Sequence, residues 1–119
     1  MSGLIENRVN ARVPTDRPIL LIGRNGQSHA KMVNLSIAGV GVLSERGARE
    51  GTELKLEFEI PAFGEFTPMQ LVGKVAHRHN ASNQIYLGIV FDQPSAQDIA
   101  AIEDFIAYKE RLKQLGKHK

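Results

Sequence analysis

The chain has 119 residues, 42% hydrophobic and 24% charged, with no cysteine and a formal net charge of +2. That length buries roughly two-thirds of its unfolded surface, enough for one core, and the missing thiols exclude a disulfide framework, thiolate catalysis and a cysteine zinc site. The longest apolar runs, ILLI and IYLGIVF, are far too short to cross a bilayer, and with no secretory signal at the start the expected setting is the cytoplasm.

The charge is uneven. Residues 1–31 hold Arg8, Arg12, Arg17, Arg24 and Lys31 against Glu6 and Asp16, a net of +3. Residues 109–119 hold Lys109, Arg111, Lys113, Lys117 and Lys119 against Glu110, a net of +4. Cations at the end of a helix favour its negative dipole terminus, and this reading is preferred for the C-terminal set. The N-terminal set includes Arg8 and Arg12, four residues apart in ENRVNARVP. That spacing puts two guanidiniums on one side of a helix or of an extended strand. Pro14 and Pro18 oppose a helix through this region, so the arginine pair is expected on an irregular arm, residues 1–13.

Residues 14–94 read as β-structure. Asn25-Gly26 sits between two β-type runs and predicts a two-residue hairpin turn, with the returning strand over about residues 28–37. AGVGVLS follows, its glycines marking a bulge or a close backbone approach before another short strand. In TELKLEFEIP, Leu54, Leu56, Phe58 and Ile60 alternate with Lys55, Glu57 and Glu59, a strand with one buried and one wet face that Pro61 is expected to end. AFGEF then turns the chain into TPMQLVGKVAHRH, and NASN turns it into QIYLGIVF. Six short strands with no helix between them predict an all-β fold, an antiparallel barrel or sandwich. A helix closes the chain over residues 95–116, with Ser95 as N-cap, Asp98 in the capping-box position and Gly116 at the end. Ile99, Ile102, Phe105, Ile106 and Leu112 form its apolar stripe, expected to pack on the β-domain.

NLSIAG, residues 34–39, is the second informative stretch. On a strand, Asn34 and Ser36 would share the outer face while Val33, Leu35 and Ile37 face the core. Two small polar side chains followed by Gly39 make a platform for a flat polar object. His77 and His79 alternate on one strand face with Arg78 opposite; two histidines can begin a metal site, but a third ligand is missing. No nucleophile elbow or phosphate-cradling glycine loop is present, so catalysis is not expected.

Arg8-x-x-x-Arg12 followed by Asn34-x-Ser36-x-x-Gly39 resembles the PilZ domain, the bacterial receptor module for cyclic di-GMP, whose pattern is Arg-x-x-x-Arg and then Asp/Asn-x-Ser-x-x-Gly. All five positions match, and the resemblance covers roughly residues 6–112. It implies a six-stranded antiparallel split β-barrel with an N-terminal arm and a C-terminal helix. It also implies that Arg8, Arg12, Asn34, Ser36 and Gly39 bind cyclic di-GMP, the arm wrapping over a ligand held on the strand platform. A guanidinium fork pairs bidentately with phosphate or with guanine O6/N7, Asn34 and Ser36 would bond the base edge or ribose, and Gly39 would keep a Cβ away from the ring. Asn7 stands where many members carry another arginine, Asn34 where Asp is frequent, and His77 about where an aromatic meets the base; Arg78 could add a phosphate contact.

The resulting expectation is a bacterial cytoplasmic effector, not an enzyme and without a cofactor, that binds cyclic di-GMP and regulates a partner protein in motility, pilus function, exopolysaccharide synthesis and biofilm formation, or signalling. Neither DNA, RNA nor membrane insertion is expected; a homodimer is among the assemblies the sequence allows. The competing reading is a ligand-blind adaptor of the same fold. A single-stranded nucleic-acid binder ranks last, because Phe58, Phe91 and Phe105 sit at core positions instead of forming a stacking surface.

Overall fold

The computed structural model describes residues 11–117. Six strands follow one another: β1 (Val13–Gly23), β2 (Gly26–Leu35), β3 (Gly39–Ser44), β4 (Glu53–Ala62), β5 (Glu65–Ala81) and β6 (Gln84–Phe91); one helix, α1 (Ala96–Lys117), comes last. The sheet is antiparallel throughout and closes on itself in the order β1-β2-β3-β6-β5-β4. Closure removes most of the exposed strand edges that would otherwise recruit other chains; β1 before Ile19 and β4 beyond Phe58 stay unpaired with each other.

Alternation decides which face looks inward. Along β4, Leu54, Leu56, Phe58, Ile60 and Ala62 are buried and pack with Leu21, Met32, Leu35, Val40, Val42, Leu87 and Ile89 in one core. The strand does not end at Pro61. It continues to Ala62, with Pro61 opposite Phe66 and Ala62 opposite Glu65. Pairing between β1 and β4 stops at Phe58, so beyond that point the β1 side of β4 asks for no N–H donor and proline is tolerated. Phe63 and Gly64 form the turn, both at positive φ (57° and 81°). The Phe63 N–H donates to Asp104 Oδ2 at 2.8 Å, which fastens this hairpin to α1.

The first hairpin turn lies one residue earlier than the Asn-Gly signal suggests. Gly23 pairs with Gly26, so Arg24 and Asn25 are the two turn residues and Gly26 carries the positive φ of 141°. Glycine is favoured at the last position of a type I turn, and that preference outweighs the primed-turn reading here. Both prolines of β1 are accommodated without breaking the strand. A register shift separates Pro14 from Arg17, and Pro18 lies before the β4 pairing begins at Ile19. Arg17 Nε donates to the Glu59 carbonyl at 2.7 Å, and its guanidinium lies 5.4 Å from the centre of the Phe66 ring.

Ser95 and Asp98 cap α1 reciprocally. The Asp98 N–H donates to Ser95 Oγ at 3.0 Å and the Ser95 N–H to Asp98 Oδ2 at 3.2 Å, so aspartate serves where the box prefers glutamate. Ala101, Ile102, Phe105 and Ile106 are buried, and the helix packs on β4 and β1. Leu112 does not share that burial: with Tyr108 and Leu115 it lies on a stretch of α1 that runs past the barrel. Gly116 lies within the helix and does not end it.

Candidate functional site

The site is built from a bulge. In β2, Met32 and Leu35 are both fully buried although three residues apart, because the register with β3 shifts between Met32 and Asn34. A regular strand would alternate. The extra residue re-aims Asn34 to the outer face, where it pairs with Gly41 of β3. Gly41 pairs with Gly88 of β6, and Gly88 pairs with His77 of β5. One row across four strands therefore reads Asn34, Gly41, Gly88, His77, a flat floor of two glycines with a polar side chain at each end.

Both glycines are kept bare by neighbours. A Cβ on Gly41 would stand 2.3 Å from Tyr86 Oη and 2.5 Å from Asn34 Nδ2; one on Gly88 would stand 3.3 Å from His77 Cδ2. Asn34 Nδ2 donates to Tyr86 Oη at 3.3 Å, and Arg12 Nη1 donates to Asn34 Oδ1 at 2.5 Å. The two bonds orient the amide, oxygen toward the arginine and nitrogen toward the phenol. His79 stacks on Tyr86 with ring centres 6.0 Å apart, and His77 on His79 at 6.5 Å. The outer face thus offers an arginine fork, an oriented amide, a phenol and two exposed imidazoles over a floor without side chains.

Ser36 and Gly39 sit differently from the sequence expectation. Ser36 is fully buried and does not share the outer face with Asn34. β2 has ended at Leu35, and the Ser36 hydroxyl accepts from the N–H groups of Ala38 (3.1 Å) and Gly39 (3.2 Å), while the Ser36 N–H donates to the Gly39 carbonyl at 2.9 Å. Its hydroxyl holds the β2–β3 turn. Gly39 pairs with Val90, and a Cβ there would fall 2.2 Å from the Ile89 carbonyl oxygen. Its missing side chain lets β3 and β6 approach; on the outer face, the side-chain ends of Asn34 and Tyr86 lie over Gly41. Val33 and Ile37, expected in the core, are half-buried. Arg78 opposes Leu87 on β6, and its guanidinium lies beside Gly47 in the β3–β4 loop, so the structure does not bring it to the row. Asn7 and Arg8 lie outside the described residues.

Gly41, Gly88, Tyr86 and His79 are the site residues that the motif did not name. Their signal was period two: Gly39 and Gly41 on one strand, Tyr86 and Gly88 on another, with the two positions of each pair on a common face. Among the described residues, no group of three or more His, Asp or Glu side chains could hold a metal ion, and no helix is long and apolar enough to cross a membrane.

The family model for the PilZ domain matches residues 6–108. The chain belongs to the PilZ domain family. No curated protein matches it. Solved structures similar to this PilZ domain include the Bacillus subtilis inhibitor of motility MotI/DgrA, at TM-score 0.74 and 17% identity, covering 92% of this chain and 52% of that one. YcgR from Escherichia coli in complex with c-di-GMP is similar at TM-score 0.75 and 15% identity, covering 92% and 48%. The separate PilZ domain of YcgR with c-di-GMP gives TM-score 0.73 and 15% identity, covering 92% and 96%. The chain spans about half the length of the first two proteins, and at these identities the likeness is one of fold.

Proposed function

We propose that this PilZ domain is a cyclic di-GMP receptor that acts on a partner protein without catalysing a reaction. The observation that carries the reading is the hydrogen bond from Arg12 to Asn34, which joins the two halves of the motif in space although they are 22 residues apart in sequence. In this reading residues 1–13 are the ligand arm, 14–94 the barrel and 95–116 the closing helix. Arg8 and Arg12 meet phosphate or guanine, and Asn34 and His77 meet the base. Ser36 and Gly39 serve the site by fixing the turn behind it. Binding orders the arm and changes the surface that a partner meets. The names of the fold neighbours support cyclic di-GMP as ligand and favour motility as the first output to examine.

Isothermal titration of the purified chain tests this. A saturable heat with cyclic di-GMP, absent with GMP, is the expected result; a folded chain that gives no heat with cyclic di-GMP overturns the assignment and leaves the ligand-blind adaptor. Gly41→Ala adds a second test. The atoms nearest the new methyl group are the ends of Asn34 and Tyr86, which can move, so the barrel stays folded. Affinity should fall by about tenfold, the equivalent of one lost neutral hydrogen bond. Unchanged affinity would remove the glycine floor from the site.

A further inference from the structure

The stripe by which α1 holds the barrel does not stop where the barrel stops. Ala101, Phe105, Tyr108, Leu112 and Leu115 are spaced four, three, four and three residues apart, the a/d pattern of a coiled-coil seam. Ala101 and Phe105 are buried against the barrel, whereas Tyr108 is 39%, Leu112 47% and Leu115 66% exposed. The exposed seam adjoins one edge of the face that α1 buries, which also includes Ile102 and Ile106, and runs along roughly 10 Å of helix. Lys109 and Arg111 flank it at the e and g positions, and residues 109–119 carry a net charge of +4.

We infer that this seam docks an amphipathic helix of a partner protein whose own flanks are acidic. The signs select among occupants. A second copy of α1 would bring Lys109 and Arg111 against their own kind, and charges at e and g decide coiled-coil pairing. A lipid surface asks for a broad apolar face rich in Trp, Phe and Leu. This seam is narrow, and the chain has no Trp. An acidic helix gains both the seam and the flanks, and the charge match speeds its encounter.

The test uses the full chain and a labelled synthetic peptide of three heptads with Leu at a and d and Glu at e and g, which its own acidic flanks keep from self-pairing. The matched control has Lys at e and g. Fluorescence anisotropy should show the Glu peptide binding at least about tenfold more tightly than the Lys peptide, an advantage that shrinks as salt rises. Leu112→Ser with Leu115→Ser should remove that binding, and a thermal melt confirms that the variant is folded. Binding of neither peptide, equal binding of both, dimerisation of the wild-type chain through these leucines in sedimentation, or leucine-dependent binding to phosphatidylglycerol vesicles would each overturn the inference. Cyclic di-GMP enters none of these measurements, so their outcome is independent of the receptor reading.

Discussion

Arg12→Ala is expected to lower the affinity for cyclic di-GMP on the order of a hundredfold and to leave the unfolding temperature unchanged. The guanidinium is exposed, and the bond it makes runs to Asn34, a side chain on the outer face. Surface substitutions of this kind move stability by no more than about 0.5 kcal/mol. Binding is another matter. A fork placed against phosphate or a guanine edge forms two charge-assisted hydrogen bonds, each worth roughly 1.5 kcal/mol or more, and their sum corresponds to about two decades of affinity. Arg12→Lys should fall between, because the charge survives and the fork does not. Calorimetric titration beside a thermal melt separates the two readouts. An Arg12→Ala protein that binds like the wild type would show that the arm and the platform do not share a ligand.

Gly39→Ala should give the opposite pattern, a large loss of stability at a position the motif assigns to the ligand. The added Cβ would meet the Ile89 carbonyl oxygen at 2.2 Å and the Ile89 C and Val90 Cα atoms at 3.2 Å. All three are backbone atoms of the partner strand, so relief requires β3 and β6 to part where their pairing begins. Forced overpacking costs typically 1–3 kcal/mol; the upper figure lowers the melting temperature of a domain of this size by about 10 °C. Gly116→Ala is the internal control, because a Cβ there meets nothing within 4 Å on an exposed turn of α1. It should raise stability by about 0.5 kcal/mol. A Gly39→Ala variant that melts like the wild type but loses nucleotide binding would return this glycine to the role the sequence suggested.

These two positions show which parts of the molecule the sequence displays. Period-two alternation in residues 54–60 marks a strand directly, because side-chain direction in a strand depends on parity alone, and β4 follows it. The apolar stripe and cap of α1 are equally local. Asn34 and Ser36 were not separable in this way. Parity gives them one face, but a single extra residue near Val33 and the end of β2 at Leu35 turn one outward and the other inward. Nothing in NLSIAG announces a bulge. Tyr86 was hidden for a different reason: its place beside Asn34 follows from β3 lying between β2 and β6, and strand order is a property of the closed sheet. The motif residues were legible as a group; which of them lie on the outer face and which shape the backbone behind it required the register.

The closure of the barrel carries a mechanical consequence. β4 clasps β1 only along residues 19–22, whereas β4 and β5 are joined along their whole length. Upstream of Ile19, β1 is laddered to β2 alone and held on its far side by the Arg17 tether to Glu59. The start of β1 is thus laddered along one edge only, with Val13 buried in the core as its inner anchor. Because α1 rests on both β1 and β4, the helix bridges the two strands on either side of the shortest ladder in the ring.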